Sequence, residues 1–156
     1  MIKNTDDSSV IEIFIRDMHA SDIPEVLRIE RMSFTTPWSE AAFFNEIHDP
    51  YSITKVAVLE DEVIGYICVN HMINEGHILN LAVHPDLRRR GIATALVEEV
   101  LDELRGKGCR SLYLEVRISN LGARRFYERL GFRPVDVRRD YYTFPREDAV
   151  IMMLEL

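Results

Sequence analysis

Residues 81–94 read LAVHPDLRRRGIAT, and this stretch decides the fold because it joins an apolar strand pattern to a helix pattern. The turn between them contains Pro85 and three consecutive arginines, and the helix then begins with small residues. The first N–H groups of a helix have no partner within it, so such a helix start suits a phosphate group. Gly91 and Ala93 allow close approach to the backbone, and the arginines offer fork-shaped donors. The alternative interpretation is a solvated basic turn that begins an ordinary amphipathic helix.

Outward from this turn, the sequence alternates between strand and helix patterns. Apolar alternation predicts strands at residues 11–15, 53–59, 63–69, 77–83, 111–116, 132–137 and 149–156. Residues 21–24 (SDIP) predict a helix start, a capping side chain followed by proline, and helical spacing continues from there to Phe34. Three further helices are predicted from Thr36–Pro37 to about Ile47, over 91–105 and over 120–130. An aromatic and charged stretch, residues 138–148, separates the last two strands.

The predicted element order is β-α-α-β-β-β-α-β-α-β-β, with short links between the second, third and fourth strands. Those links predict antiparallel pairing, while the helix over 91–105 is a crossover that makes the fourth and fifth strands parallel. The expected fold class is therefore α/β (α+β), with a mixed, mostly antiparallel central sheet of about seven strands and helices on both faces.

The length and composition are those of one globular domain. The chain has 156 residues, of which 47% are hydrophobic and 29% are charged, close to globular averages. We expect a flexible polar N-terminus over residues 1–9 and a single domain over residues 10–156. The chain has no apolar run near the length of a membrane span and no start that resembles a secretory signal, which predicts a cytoplasmic protein without a membrane partner.

Charge and cysteine usage narrow the classes of partner and ligand. The 26 acidic and 19 basic residues give a formal charge of −7, so nucleic acid is not an expected partner. Cys68 and Cys109 lie far apart and outside any Cys/His cluster, which predicts small buried apolar side chains and no metal site; a disulfide or a nucleophilic thiol is the alternative. The absence of a P-loop and of a leading G-x-G-x-x-G unit argues against P-loop kinases and dinucleotide oxidoreductases.

Several motifs in order resemble the GCN5-related N-acetyltransferase (GNAT) superfamily. Residues 88–93 (RRRGIA) fit its [Q/R]-x-x-G-x-[G/A] motif, and Asn120 followed by residues 126–132 (FYERLGF) resembles its N…Y-x-x-x-G-F signature. More narrowly, four segments are similar to ribosomal-protein-alanine N-acetyltransferases and archaeal Ard1-type N-terminal acetyltransferases: 37–40 (PWSE), 114–120 (LEVRISN), 139–142 (RDYY) and 146–149 (REDA). The resemblance extends over nearly the whole chain and implies the GNAT fold.

This resemblance implies an enzyme that transfers the acetyl group of acetyl-coenzyme A (acetyl-CoA) to polypeptide α-amines by direct attack, without a metal. The implied partners are polypeptide N-termini, such as those of ribosomal or other nascent proteins, and the chain acts as a monomer or homodimer. Residues 88–93 would hold the pyrophosphate, and the backbone of residues 81–83 would hold the pantetheine arm as an added strand. The implied cofactor-binding residues are Leu81, Ala82, Val83, Arg88, Arg89, Arg90, Gly91, Ile92, Ala93, Thr94, Asn120 and Ala123.

Two residues are candidates for the base that the amine requires. Glu115 lies in an apolar strand where a carboxylate loses solvation, so we expect a raised pKa; pairing with Arg117 or Arg88 is the structural alternative. The resemblance makes Glu115 the general base, acting through a water. His77 is the second candidate, because Ard1-type relatives place a base there and imidazole suits proton relay. A structural histidine at a strand start is its alternative.

Tyr127 is the candidate acid for the leaving thiolate. It shares one face of the predicted helix with Asn120, Ala123 and Arg124, so one ligand can contact all four residues. The resemblance implies that Tyr127 protonates or hydrogen-bonds the sulfur as negative charge develops. Packing in the core is the structural alternative.

Two aromatic loops are the candidate peptide site, one with Phe34 and Trp38 and the other with Tyr141 and Tyr142. In the relatives these loops flank the groove for the first residues of a polypeptide, and tyrosine hydroxyls suit hydrogen bonds to peptide backbone. Surface aromatics that close an edge of the core are the alternative. Two other functions stay open: a lysine or small-amine acetyltransferase on the same fold, and a non-catalytic acyl-CoA-binding protein.

Overall fold

The computed structural model describes residues 2–3 and 10–156; the rest of the predicted flexible N-terminus lies outside the described residues. A short ladder pairs β1 (Ile2–Lys3) with β2 (Val10–Ile11). A second sheet contains β3 (Phe14–Asp17), β4 (Ser52–Leu59), β5 (Glu62–Met72), β6 (Glu75–Val83), β7 (Ser111–Arg117), β8 (Arg133–Thr143) and β9 (Arg146–Glu155). The helices are α1 (Ile23–Ser33), α2 (Glu40–His48), α3 (Ile92–Gly106) and α4 (Leu121–Arg129).

The seven-stranded sheet has the order β3-β4-β5-β6-β7-β9-β8. Its neighbouring strands are antiparallel except for β6 and β7, which are parallel and joined through α3. Glu60 and Asp61 link β4 to β5 with positive φ values of 49° and 66°, as tight hairpin turns require. The predicted fold class, strand number and parallel pair are confirmed.

Helices cover both faces of this sheet, as predicted. Consecutive side chains of β5 enter two cores alternately: Tyr66 and Cys68 pack with α1 and α2, and Ile67 and Val69 pack with α3. Burial on both faces explains why β5 reads as a continuous apolar run. Cys68 and Cys109 are free and buried, which confirms their predicted role as small core side chains. None of the helices described is long and apolar enough to cross a membrane.

Two predictions near the N-terminus are wrong. The predicted strand over residues 11–15 is interrupted, because β3 begins only at Phe14, where its pairing with β4 starts. The Asp22 carboxylate does not cap α1. It accepts two hydrogen bonds from Arg16 (2.8 and 2.9 Å) and one from the His19 N–H (2.7 Å), and these partners outcompete the helix end.

The segment between α1 and α2 is longer than predicted. The structure begins α2 at Glu40 and not at Thr36–Pro37, because the Ser39 hydroxyl accepts from the Ala42 N–H (3.1 Å) and caps the helix there. A residue before proline also favours extended backbone. At the other end, Phe34 is extended (φ −131°, ψ 144°) and leaves α1 instead of continuing it.

The last two strands form a longer hairpin than predicted. Most of the stretch 138–148, predicted as a separator, is strand: β8 continues to Thr143 and β9 begins at Arg146. Two register shifts, at residues 134–136 and 138–142, interrupt the pairing of β8 with β9. The side chains of β8 are mostly exposed, so the apolar pattern of the sequence predicted only its first part, as far as Val137.

Candidate active site

A cleft of about 790 Å³ lies between β6 and the starts of α3 and α4. β6 pairs with β7 only as far as His77–Tyr113, so within the described structure residues 81–83 pair with β5 alone. Their other backbone edge is open to an extended ligand. The cleft is lined by Ser33, Phe34, Leu81, Ala82, Val83, Leu87, Arg88, Arg89, Gly91, Ile92, Ala93, Thr94, Asn120, Gly122, Ala123, Arg125, Phe126, Tyr127 and Arg129.

The start of α3 forms the part of the wall that suits an anion. Gly91 is the N-cap with a left-handed φ of 82°, a conformation that favours glycine. The first hydrogen bond within the helix runs from the Ala95 N–H to the Gly91 carbonyl (3.0 Å). The N–H groups of residues 92–94 precede that bond and can bind an anion. Of the predicted cofactor-binding residues, Arg90 is the one that does not line the cleft.

Arg88 holds the turn before α3 together. Its Nε donates to the Val83 carbonyl (3.1 Å), and its Nη2 donates to the Ser33 hydroxyl (3.2 Å). These bonds join the end of β6 to the end of α1. Arg88 therefore shapes the cleft, and Arg89 is the neighbouring arginine whose guanidinium is available to a ligand.

The start of α4 forms another wall of the cleft. Asn120 is its N-cap, and the Asn120 Oδ1 accepts from the Ala123 N–H (3.1 Å), which leaves the Nδ2 group as a donor. The Tyr127 ring lies 5.1 Å from Phe126 and 5.4 Å from Phe132, so Tyr127 packs in the core and also lines the cleft. Burial, with a smaller effect from Tyr142, raises the pKa of Tyr127 and keeps its hydroxyl protonated.

Glu115 and His77 form a pair at the point where β6 separates from β7. The His77 Nε2 and Glu115 Oε2 atoms are 2.5 Å apart. The expectation of a raised Glu115 pKa is wrong. Burial by itself raises this pKa, but the hydrogen bond and the charge of His77 outweigh burial, so the pKa is lower than its ordinary value. The alternative of pairing with Arg117 or Arg88 is also wrong, because Arg117 binds Glu147 (3.3 Å).

Tyr141 and Tyr142 lie close enough to Glu115 to feel its charge, and Tyr142 likewise affects Tyr127. The Arg117 guanidinium lies 4.2 Å from the centre of the Tyr142 ring, and the two tyrosine rings meet edge to face at 5.0 Å. Burial and the adjacent Tyr141 raise the pKa of Tyr142 to about 12. Burial and the Glu115 charge raise the pKa of Tyr141. Both phenols therefore stay neutral hydrogen-bonding groups at physiological pH.

The α1–α2 loop, residues 34–39, reaches the hairpin that bears these tyrosines. The Thr35 hydroxyl donates to the Phe144 carbonyl (3.4 Å), so the two predicted peptide-binding segments meet. Phe34 lines the cleft, and the half-buried Trp38 ring lies 5.1 Å from Phe43. Segments 34–39 and 141–144 are thus in contact, and of the predicted peptide-binding residues Phe34 lines the cleft while Trp38, Tyr141 and Tyr142 do not.

Sequence reasoning missed a buried carboxylate behind this loop. Glu30 is 1% exposed and accepts hydrogen bonds from the Trp38 N–H (2.9 Å), the Asn80 Nδ2 group (2.7 Å) and the Tyr66 hydroxyl. A signal for it was present, because Glu30 is a charged residue within the apolar stripe of the predicted first helix.

The cleft offers an anion site, an edge for an extended ligand and the Tyr127 hydroxyl, and the Glu115–His77 pair lies where β6 separates from β7; a group-transfer enzyme requires such groups. A family model described as "Acetyltransferase (GNAT) family" matches residues 23–132. The chain belongs to the GNAT acetyltransferase family and is an acyltransferase, as its motifs predict. In the described part of the chain, no group of three or more His, Cys, Asp or Glu residues could hold a metal ion.

Named relatives agree with this family. The "[Ribosomal protein bS18]-alanine N-acetyltransferase" of Salmonella typhimurium is 36% identical over 141 residues, which cover 89% of this chain and 95% of the relative. The crystal structure of the ribosomal-protein-S18-alanine N-acetyltransferase from Escherichia coli matches with a TM-score of 0.85 and 34% identity, covering 92% of this chain and 94% of that one.

Two further structures extend the comparison. Ard1 from Thermoplasma volcanium matches with a TM-score of 0.86 and 28% identity over 92% of this chain and 97% of that one. Arabidopsis thaliana NAA60, solved in complex with acetyl-CoA, matches with a TM-score of 0.84 and 25% identity over 93% of this chain and all of that one (100%). The resemblance drawn from the sequence motifs is therefore confirmed.

Proposed function

We propose that the protein is an N-terminal acetyltransferase that transfers the acetyl group of acetyl-CoA to the α-amine of a polypeptide. The proposal rests chiefly on the Thr35–Phe144 hydrogen bond, which brings together the two segments that would flank an entering peptide. A groove bordered on two sides accepts an extended chain end and fixes its first peptide groups. The names of the bS18-alanine relatives support the choice of an α-amine.

The chain's own residues suit acetyl-CoA as the acyl donor, which brings the activated thioester to the site. The N–H groups of residues 92–94 and the Arg89 guanidinium would bind its pyrophosphate. The open edge of residues 81–83 would pair with its pantetheine amides, and the Asn120 Nδ2 group would donate to it. The NAA60 complex with acetyl-CoA supports this assignment.

Glu115 and His77 would act together as the base. The lowered pKa keeps Glu115 ionised at neutral pH, so it can accept the proton of the peptide ammonium through a water. The hydrogen bond orients the His77 ring and lets the two groups share the proton. His77 is thus a partner of Glu115 in the base, and not a competing candidate.

Tyr127 would act as the acid. The amine nitrogen attacks the thioester carbon, the C–N bond forms, and the C–S bond breaks with its electron pair on sulfur. The nitrogen loses one proton through the base to solvent before the attack, which frees the amine. Tyr127 donates a proton to the sulfur, and the second proton, which the base takes from the nitrogen once the C–N bond has formed, returns through solvent to the phenolate. Burial keeps Tyr127 protonated until that moment but also makes it a weaker acid than the thiol, so the transfer depends on its hydrogen bond to the sulfur as negative charge develops.

We also propose a cytoplasmic enzyme whose substrates are N-termini of ribosomal or other nascent proteins. Two buried free cysteines suit a reducing compartment. The substrate class follows from the bordered groove and from the ribosomal substrate named for the relatives.

A peptide with one free N-terminus and one internal lysine tests the proposal. After incubation with acetyl-CoA, fragment mass spectrometry should place the acetyl group on the α-amine, and varying the first residue should then define the preference. The matched control is the same peptide with a formylated N-terminus, which should remain unmodified. Predominant acetylation of the lysine would overturn the α-amine assignment while leaving the acetyltransferase activity in place.

A further inference from the structure

We propose that Glu30 is a positioning residue that fixes the α1–α2 loop against β6. The inference rests on the proposed function, because it assigns this loop to the peptide side of the reaction. The Glu30 carboxylate lies behind the loop, and its hydrogen-bond partners Trp38, Asn80 and Tyr66 are not among the residues that line the cleft. Its effect on peptide binding therefore passes through Trp38.

The two oxygens of the Glu30 carboxylate bind different parts of the fold. Oε2 accepts from the Trp38 N–H in the α1–α2 loop (2.9 Å). Oε1 accepts from Asn80 on β6 (2.7 Å) and from the Tyr66 hydroxyl on β5. Asn80 directly precedes Leu81, where the open backbone edge of residues 81–83 begins, the edge proposed to bind the acyl donor. One carboxylate thus joins the loop that borders the peptide groove to the strand that borders the acyl donor.

Packing alone does not account for a carboxylate at this position. Within the described residues, no Lys, Arg or His nitrogen lies within 4.0 Å of Glu30, and its exposed fraction is 1%. Burying a carboxylate is costly, and an apolar residue of similar volume often stabilises a core as well or better. The hydrogen bonds that Glu30 makes offset that cost, and what they add is a fixed loop position.

The loop depends on this contact for its order. Thr35 to Pro37 are exposed and belong to no helix or strand. Trp38 is held at its backbone by Glu30 and at its ring by Phe43, whose own ring meets Tyr66 edge to face at 5.5 Å. Tyr66 therefore supports both the ring of Trp38 and the carboxylate that binds its N–H. Removing the carboxylate therefore frees the Trp38 backbone N–H, while the Trp38 ring keeps its contact with Phe43.

Trp38 provides a direct measurement, because it is the single tryptophan of the chain. The Glu30→Met variant keeps the volume and removes the acceptors, so Trp38 emission should shift to the red and acrylamide quenching should increase. Peptide KM should rise at least about fivefold, while the acetyl-CoA Kd stays within about twofold of wild type.

The Glu30→Gln variant separates hydrogen bonding from charge. Its amide oxygen can accept from the Trp38 N–H, and its NH₂ group can donate to Tyr66 and to Asn80 after that amide turns over. We expect emission and peptide KM within about twofold of wild type. If Trp38 emission and peptide KM change as much in Glu30→Gln as in Glu30→Met, the hydrogen-bonding role of Glu30 is contradicted.

Asp22 supplies the matched control. It is a second buried carboxylate at the start of the same helix, about 12 Å from Glu30 along the axis, and it binds Arg16 away from the loop. Asp22→Leu should lower the melting temperature without changing Trp38 emission or peptide KM. If Asp22→Leu moves these readouts as far as Glu30→Met does, the effect is general destabilisation and the inference is wrong.

A measurement on the wild-type protein keeps the inference testable if Glu30→Met does not fold. The Trp38 amide should exchange with solvent deuterium at least about tenfold more slowly than the exposed Thr36 amide of the same loop. Equal exchange rates, or wild-type emission and KM in a folded Glu30→Met variant, would overturn the positioning role. If the wild type acetylates no peptide N-terminus, the proposed function fails, while emission and amide exchange still decide the role of Glu30.

Discussion

The proposed active site has a side for the acyl donor and a side for the amine that accepts the acyl group, and these donor and acceptor sides are built in opposite ways. The donor side is largely one continuous stretch, residues 81–94, which forms a strand end, a turn and a helix start. The acceptor side collects the α1–α2 loop, the Glu115–His77 pair and Tyr141–Tyr142 from distant positions in the chain. Under the proposed function, local conformation would therefore set the binding of the acyl donor, and long-range packing would set the proton transfers and the fit of the amine.

The largest expected effect tests the chemistry of the acceptor side. Glu115→Gln keeps the shape and removes the proton acceptor, so kcat should fall by about 10²- to 10⁴-fold with little change in acetyl-CoA affinity. The loss should be largest at lower pH, where the peptide amine is most fully protonated, and should shrink as pH rises. Steady-state kinetics against pH and calorimetric titration of acetyl-CoA measure both effects.

Glu155→Gln is the matched control for that substitution, because the Glu155 side chain is 77% exposed and forms a surface ion pair with Arg133. It should leave kcat unchanged. If Glu115→Gln retains activity within a few-fold of wild type, the proton acceptor lies elsewhere, and His77→Ala becomes the decisive variant.

The second largest effect, a fall in kcat, is expected from Tyr127, which lies between the donor side and the acceptor side. Tyr127→Phe keeps the ring packing against Phe126 and Phe132 and removes the proton donor, so kcat should fall by about 10²-fold. The melting temperature should change little, because the ring still fills its place. A pre-steady-state assay of thiol release gives the rate of the step directly. An unchanged rate would reduce Tyr127 to a packing residue.

On the donor side, Gly91→Val should remove the stabilisation by acetyl-CoA. In the wild type this stabilisation is about 2.7 kcal/mol at a hundredfold excess over Kd. A β-branched residue at φ 82° strains the turn and crowds the backbone N–H groups. The measurement is the ligand-induced change in melting temperature, which separates binding from any loss of stability.

Gly106→Val supplies the comparison at the other end of α3, where a Cβ would meet nothing within 4 Å. This variant should keep the full ligand-induced shift. A normal shift in Gly91→Val would exclude the helix start as the pyrophosphate site and weaken the contrast between the two sides.

A smaller effect is expected from the tyrosine hydroxyls of the acceptor side. Tyr141→Phe or Tyr142→Phe should raise peptide KM by about two- to tenfold, the value of one hydrogen bond, with acetyl-CoA affinity unchanged. Tyr51→Phe, a change at an exposed tyrosine before β4, should alter neither constant. A rise in acetyl-CoA Kd instead of peptide KM would place these residues on the donor side.

The smallest expected effect concerns stability against pH. The Glu115 pKa is lower in the folded protein than its ordinary value of 4.5, so the folded state binds this proton less readily than the unfolded state. The resulting stabilisation is fully present above that value and is lost as pH falls through the lowered pKa. The stability difference between wild type and Glu115→Gln should therefore decline below pH 4.5 in urea titrations, and a constant difference would contradict the pairing with His77.

Predictions from the sequence succeeded mostly where neighbouring residues decide the outcome, and the failures came from distant partners and from one local cap that the prediction passed over. The start of α3 at Gly91 and of α4 at Asn120 follows from local caps and periodicity. The predicted start of α2 at Thr36–Pro37 is wrong, because the Trp38 N–H is bound by Glu30 and Ser39 caps the helix.

From the sequence alone follow the order of the main strands and helices, the pairing of the central strands and the donor wall of the cleft, since each depends on periodicity, short links or one continuous turn. The position of β9 between β7 and β8 does not follow from it. Only the tertiary structure decided that His77 lies against Glu115 and that Thr35 reaches Phe144, 109 residues away. The direction of the Glu115 pKa followed from that first contact. Hydrogen bonds and charges act through space, so their partners are known only once the sheet has brought separate segments of the chain together.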